Sequence, residues 1–238
     1  MSVRFDTTAH IWRTANLPTS TMTICGWYNR TAQNTMYDTI FAIGSDEVTL
    51  NNNIYLGCWN SVSLVNFTAN GTSTSLGFDL TNGQSVFMAF TLNGTGAGNG
   101  NAYLRTAAQN TLVYSANGYG MPSGTQAKLN IGVSNYDGTD FVNGRIWNVK
   151  CWNRVLTTAE LLIESFYERV MFPASINFWY PLRSSSDLND YSGNNNHPSS
   201  AGALSTEHTP WAAWKPGARI VHYIPPTGPQ NALAWIRA

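Results

Sequence analysis

Short apolar runs punctuated by turn residues fill most of the first 150 positions of the chain. MTICGWYN, TIFAIG, NIYLGCW, SLVNFT, SVFMAFTL, NAYLRT, TLVYSAN and KLNIGV are rich in β-branched and aromatic side chains, with Gly, Asn and Ser between them. Runs this short predict the strands of an antiparallel sandwich or barrel rather than βαβ units. LTNGQS and TLNGTGAGNGNAY supply Asn-Gly and Gly-rich links between strands.

Residues 144–153, GRIWNVKCWN, alternate. Read with period two, Trp147, Val149 and Cys151 face the core, while Ile146, Asn148, Lys150 and Trp152 face outward. The period then changes. Thr157 and Glu160 form a T-x-x-E capping box opening a helix, and Leu162, Phe166 and Val170 make a stripe that can lie on the sandwich. Pro173 predicts an end near Val170. Glu160, Glu164 and Glu168 recur at i, i+4, i+8 and are read as the solvated edge of this helix, which plugs one end of the sandwich. Beyond Pro173, INFWYPL reads as another strand and SSSDLNDYSGNNNHPSS as a loop of Asx-turn formers. TPWAAWKPG and IVHYIPPTGPQNALAWIRA are too Pro-broken for a packed domain and read as an extended arm, lying on its own body or on a neighbour.

Composition narrows the function. Charged residues are 11% of 238 and the formal net charge is zero, against about 25% charged in an average globular protein. No basic field exists to hold nucleic acid or an anionic membrane, and no apolar run nears the roughly 18 residues of a membrane span. The polar share is Asn, Thr, Ser and Gly, as on extracellular and virion-surface proteins. MSVRFDTTAHIW nevertheless lacks the charged and apolar regions of a secretion signal. Cys25, Cys58 and Cys151 are an odd set without metal-ligand spacing and read as buried free thiols.

LNIGVSNYDGTDFVNGRIWNVKCWNRVLTTAEL resembles the closing strands of laminin-G-like, concanavalin A-type jelly rolls, through Ile131, Gly132, Phe141, Gly144, Ile146, Val149, Trp152, Asn153, Arg154, Leu156 and Glu160. MTICGWYNR, MSVRFDTTAHIW and SVFMAFTLNGT are similar to earlier strands of that family, so the resemblance covers residues 1 to about 170. It implies an all-β, concanavalin A-like jelly-roll β-sandwich with one short capping helix. Trp147 and Asn148 stand where family members often carry an acidic pair. A second departure is order: the element that usually opens the family stands here as FWYPLRSSSDLNDYSGNNNHPSS. The resemblance therefore implies a jelly-roll core over 1–172 and a C-terminal segment, 173–238, whose strand at 176–182 is permuted. That strand completes either this chain's own sheet, the preferred reading, or that of a neighbouring copy.

Catalytic chemistry is not expected. The glucanases of this fold carry E-x-D-x-x-E, which places two carboxyls about 5 to 5.5 Å apart, and the motif is missing here. Asp46 and Glu47 are adjacent and would face opposite sides of a strand. His10, His197, His208 and His222 are scattered, no G-x-S-x-G elbow or phosphate-binding loop is present, and no zinc spacing occurs. No cofactor is expected. Asn135, Asp137 and Asp140 in SNYDGTDF, and Asp187, Asp190 and Asn194–Asn196, read as Asx-stabilised loops, with weak Ca²⁺ binding as the alternative. Sugar binding needs flat aromatic faces beside amides or carboxylates. Trp59 with Asn60, Tyr136 with Asp137, and Trp211 with Trp214 have those ingredients. The sequons at Asn29, Asn66, Asn70 and Asn93 are expected from chance in so Asn/Thr-rich a chain.

Two functions compete. One is a non-enzymatic virion-surface structural protein, a phage capsid decoration or tail-surface module with glycan affinity. It rests on similarity to phage-encoded jelly rolls with an SGN-type loop and a Pro/Trp tail, and it accommodates the missing signal. The other is a secreted or cell-surface lectin or carbohydrate-binding module; a glycoside hydrolase is the remote third. Expected partners are other virion or surface proteins, copies of itself in a homo-oligomer, and polysaccharide.

Overall fold

The structure, a computed structural model, describes residues 2–6, 8–14, 17–32, 37–44, 53–59, 64–69, 71–121, 128–134 and 140–207. The strands are β1 (Ser2–Phe5), β2 (His10–Arg13), β3 (Thr21–Arg30), β4 (Tyr37–Gly44), β5 (Asn53–Trp59), β6 (Leu64–Ala69), β7 (Thr72–Asp79), β8 (Ser85–Asn93), β9 (Ala97–Thr106), β10 (Tyr114–Tyr119), β11 (Lys128–Ile131) and β12 (Gly144–Trp152). The helix α1 (Thr158–Glu164) follows, then β13 (Ile176–Tyr180), β14 (Ser199–Ala201) and β15 (Ser205–Glu207). Sheet A runs β10-β9-β8-β3-β12-β1-β15, with β13 also on β12; sheet B runs β14-β2-β11-β4-β5-β6-β7. Neighbouring strands pair antiparallel, giving the expected all-β jelly-roll sandwich.

Apolar side chains of alternate strand positions fill the space between the sheets. Val3, Ile24, Tyr28, Phe90 and Ile146 from sheet A meet Ile11, Phe41, Leu56 and Phe67 from sheet B, all without exposed surface. A second buried layer lies on the outer face of sheet A. There Trp27, Phe87, Trp147 and Trp152 are covered by Leu156 and by Leu161 of α1. The helix is needed because this sheet is apolar on both faces.

The alternation expected for β12 breaks in its middle. Trp147 pairs with Trp27 but Lys150 pairs with Cys25, so β12 carries one extra residue, a bulge. Asn148 sits there with φ 55°, a left-handed conformation that asparagine tolerates. Its N–H donates to Pro181 O at 2.9 Å, its amide to Tyr167 O at 3.1 Å, and its Oδ1 accepts the Trp179 indole N–H at 3.0 Å. Before the bulge Ile146 points into the core and Trp147 outward; after it Val149 and Cys151 point in, and Lys150 and Trp152 out. Ile146 and Trp147 thus exchange the faces that strict alternation gives them.

The capping box forms as expected: Thr157 Oγ1 accepts Glu160 N–H at 3.2 Å and Glu160 Oε2 accepts Thr157 N–H at 2.8 Å. The helix nevertheless stops at Glu164. Arg105, lying between the rings of Trp27 (4.9 Å) and Phe166 (4.3 Å), donates to both Ser165 Oγ and Ser165 O, holding the last turn. The buried helical residues are Leu161 and Glu164, not a Leu162–Phe166–Val170 stripe. Phe166 is 37% exposed and covers Arg105 instead, while Val170 reaches the outer cluster from the following loop.

The glutamates are not a solvated edge either. Glu164 is wholly buried and pairs with Lys150 Nζ at 2.6 Å, itself without exposed surface. Lys150 also donates to Tyr167 O and Arg169 O, and Glu164 Oε1 accepts Met171 N–H and Phe172 N–H. Glu160 pairs with Arg154 and Glu168 with Arg183. A second buried pair, Arg30–Asp38 at 2.6 Å, joins the end of β3 to the start of β4.

After α1 the chain enters both sheets. β13 pairs with the second half of β12 (Val149↔Tyr180, Cys151↔Phe178), beside β1 on the first half (Val3↔Ile146). The strand placed at 176–182 from sequence thus completes this chain's own sheet, and it stops at Tyr180 before Pro181. β14 adds to β2 in sheet B and β15 to β1 in sheet A. The arm from residue 208 lies outside the described residues. Cys25, Cys58 and Cys151 are buried free thiols, as expected. Asn29 and Asn66 are buried, and the Asn29 amide donates to Gly83 O and Ser85 Oγ, so neither can accept a glycan in the fold.

Deleting residues 174–238 removes β13 from β12 and takes Phe178 and Tyr180 out of the core. The truncated protein is expected to aggregate in light scattering; a soluble monomer with unchanged thermal stability would contradict this. Lys150→Met leaves Glu164 charged and buried, and should destabilise by about 3–5 kcal/mol in urea unfolding, with Lys150→Met/Glu164→Leu recovering most of the loss.

Candidate functional site

The sequence His10-Ile11-Trp12-Arg13 in β2 alternates cleanly. Ile11 and Arg13 point into the sandwich, and Arg13 lies against the Phe178 ring. His10 and Trp12 therefore stand on the outer face of sheet B. Trp12 pairs with Ser199 on one side and on the other with Asn130, which pairs with Ala42, then Tyr55, Thr68 and Ser73; Asn130, Ala42 and Thr68 are buried. Trp12 and Tyr55 are both half-buried, three inter-strand steps of about 4.8 Å apart. Thr68 and Ser73 share a hydrogen bond at 2.7 Å.

Beside this row the rings continue off the strand. His10 lies 5.3 Å from Trp12 and 5.9 Å from Phe141, with interplanar angles of 38° and 49°. Phe141 follows Asp140, whose carbonyl accepts Thr39 N–H at 3.4 Å. Val142 turns into the core, leaving Phe141 half-buried on the outside. The result is an aromatic run, Trp12–His10–Phe141, with Asp140 the chain neighbour of Phe141. Burial holds the His10 imidazole below its ordinary pKa; a hydrogen bond to the Thr8 backbone opposes this, and the Lys128 charge adds to it. The central ring is neutral at pH 7. Flat, half-buried, uncharged rings within reach of the Lys128 charge can stack on sugar CH groups.

Of the residues singled out from sequence, Asp140 is described as the chain neighbour of Phe141, with its carbonyl on Thr39 N–H. Trp59 ends β5 and its backbone pairs with Tyr37, two residues from the Thr39 that binds Asp140. The backbones of Trp59 and Asp140 thus come to the same end of β4. Asn60, Asn135, Tyr136, Asp137, Trp211 and Trp214 lie outside the described residues, as does the Trp59 side chain. Trp12, His10 and Phe141 were missed as a group, although His10 and Trp12 already share a face by strand alternation.

The second candidate calcium loop is an Asx-stabilised turn. Asp190 accepts N–H groups of Trp179, Ser192 and Asn196 and the Ser192 hydroxyl at 2.8–2.9 Å, which engages both oxygens within the loop. Among the described residues no group of three or more His, Cys, Asp or Glu is placed to hold a metal ion. A cleft of about 380 Å³ at the start of β3, lined by Pro18, Ser20, Asn153 and Asn177 among others, offers neither an aromatic face nor a carboxylate. Among the described residues no helix is long and apolar enough to cross a membrane.

Two stacked antiparallel sheets and a helix packed outside one of them define a jelly-roll sandwich of the concanavalin A type. The chain belongs to the concanavalin A-like lectin/glucanases superfamily, whose laminin G-like profile matches residues 6–162. No curated protein matches by sequence. Among solved structures it is similar to a Bacteroides ovatus protein considered to bind carbohydrate (TM-score 0.58, 15% identity, 86% of this chain and 59% of that one). It also resembles tailspike protein 2 of the Escherichia coli O157:H7 bacteriophage CAB120 (0.51, 13%, 76% and 26%). A third is the CBM40 of a Ruminococcus gnavus sialidase, bound to α2,3-sialyllactose (0.50, 14%, 68% and 94%). At these identities the likeness is one of fold. The chain spans 59% of the length of the Bacteroides protein.

The neutral His10 gives a signed pH dependence. Its folded pKa lies below the ordinary 6.5, so the unfolded chain binds the proton more readily. The stability it contributes is complete above that value and falls as pH drops through 6.5 toward the lowered folded pKa. His10→Gln should flatten the decline in urea midpoint between about pH 7 and pH 5; an unchanged slope would place the titrating group elsewhere.

Proposed function

We propose that the protein is a non-catalytic glycan-binding module carried on a virion surface. The observation that carries the glycan reading is the Trp12–His10–Phe141 run on the outer face of sheet B, with Asp140 next to Phe141 in the chain. A saccharide can stack on the half-buried rings of this run. The similarity of fold to carbohydrate-binding proteins supports the same reading.

A binding rather than hydrolytic role is favoured by how the carboxylates are used. Each described glutamate is ion-paired: Glu160 with Arg154, Glu164 with Lys150, Glu168 with Arg183, and Glu207 with Arg4 and Arg145. Among the described residues no second carboxylate neighbours Asp140 in the chain beside the aromatic run, and a retaining or inverting mechanism needs two carboxyls across the bond. The virion setting rests on the fold shared with a phage tailspike and on the low-charge, Asn/Thr/Ser-rich surface. Many copies on a particle would turn weak single-site binding into avidity.

A glycan array probed with the multivalently displayed protein, with and without calcium, tests the site. Trp12→Ala and Asp140→Asn should each reduce binding about tenfold or more, the scale of losing an anchoring contact. A blank array would remove the glycan reading, and absence of the protein from purified particles by mass spectrometry would remove the virion setting.

A further inference from the structure

The outer face of sheet A carries a second aromatic surface that the fold does not require. In β13, Phe178 and Tyr180 point into the core, stacked at 4.3 Å, and Trp179 between them points outward beside Lys150. The SGN-type loop brings Tyr191 against it, edge to face, with centroids 6.0 Å apart and an interplanar angle of 61°. Tyr191 is 48% exposed, the second most exposed large hydrophobic side chain among the described residues. Its burial contributes little to the core.

Yet its ring is fixed at every point. The phenol donates to Asp187 Oδ2 at 2.6 Å, and the Tyr191 N–H to Trp179 O at 2.9 Å. Trp179 is in turn held by its indole N–H on Asn148 Oδ1. Asp187 Oδ1 accepts the Asn189 backbone and amide N–H groups. Arg183, close enough to feel the charge of Asp187, is half-exposed and paired with Glu168. A surface side chain ordered in this way has lost its rotamer freedom before any partner arrives, which is the preorganisation that strengthens binding.

We propose that the Trp179–Tyr191 corner is a second saccharide site, taking one pyranose unit of a polysaccharide. The Tyr191 ring would lie under the sugar's CH face, with Asp187, Asn189 and Arg183 around its hydroxyls. The chemistry favours a sugar over a protein partner. One aromatic face ringed by a carboxylate, an amide and a guanidinium matches the alternation of CH and OH on a pyranose, whereas a protein hot spot needs a contiguous dry apolar centre. Among the described residues Asp187 Oδ2 accepts only the phenol, which leaves a lone pair for a hydroxyl.

The proposal rests on the glycan reading and adds valency. Trp12 is on the outer face of sheet B and Tyr191 on that of sheet A, so one molecule presents two sites on opposite faces and can bridge two polysaccharide chains.

The test uses the full chain and its Trp12→Ala, Tyr191→Ala, Tyr191→Phe and double Trp12→Ala/Tyr191→Ala variants, with folding checked by circular dichroism. The probes are mannan, β-glucan, galactan and bacterial O-chain polysaccharides, each soluble, in titration and turbidity assays. Trp12→Ala should keep residual binding that the double variant loses. Tyr191→Ala should weaken its site about tenfold and abolish turbidity, and Tyr191→Phe, which keeps the ring but not the tether, should fall between. Binding lost wholly in Trp12→Ala and unchanged in Tyr191→Ala would overturn the second site alone. No binding by the unaltered protein would overturn both this site and the reading beneath it.

Discussion

The extra residue in β12 sets the arrangement of everything outside sheet A. With Asn148 in a left-handed conformation, the strand shifts phase by one residue in its middle. Val149 and Cys151 then continue the inner core, while Lys150 and Trp152 emerge beneath the helix. Asn148 is also the point where three segments are tied: its main chain to Pro181, its amide to the carbonyl of Tyr167, and its side-chain oxygen to Trp179. A bulge is commonly a place where a side chain is re-aimed. Here the one irregularity aims a lysine at a glutamate and an asparagine at a tryptophan.

The lysine so aimed has no exposed surface, and neither has its glutamate. Two charges removed from water are tolerated only with good geometry and with their remaining donors and acceptors filled. Both conditions are met by the segment after α1, whose carbonyls at Tyr167 and Arg169 and amides at Met171 and Phe172 close around the pair. Such a pair adds little to net stability compared with apolar side chains of the same size. It fixes instead one position for the irregular segment 165–172, which has no sheet or helix to hold it.

Much of this was legible in the sequence, for reasons that differ by element. The strands are short, apolar and punctuated, and the T-x-x-E box is a local signal with a local structural result, so both appear as read. The phase of β12 was not legible, because a bulge depends on what the neighbouring strand β3 offers. Glu164 was misread for a related reason: i, i+4 spacing describes a helix in water, and here a buried cation on another element reverses which face is covered. The site shows the same divide. Asp140 stood out through its loop composition, whereas Trp12, His10 and Phe141 meet only when β2 and the segment after β11 are brought together. Tyr191 sat in a loop read for its Asx turns, and its contact with Trp179 needs β13 in place on β12.

The pairing of β1 with β15 joins residues about as far apart as the described chain allows, Ser2 with Glu207 and Val3 with Thr206. β14 likewise reaches back to β2. Contacts of such separation carry a large loop-closure entropy and slow the search for the native state. On a ribosome, the first two strands must wait, unpaired on these edges, until the last of the described strands has emerged. The sandwich is therefore closed late in this stretch, and a nascent chain has two exposed strand edges to protect until β14 and β15 emerge.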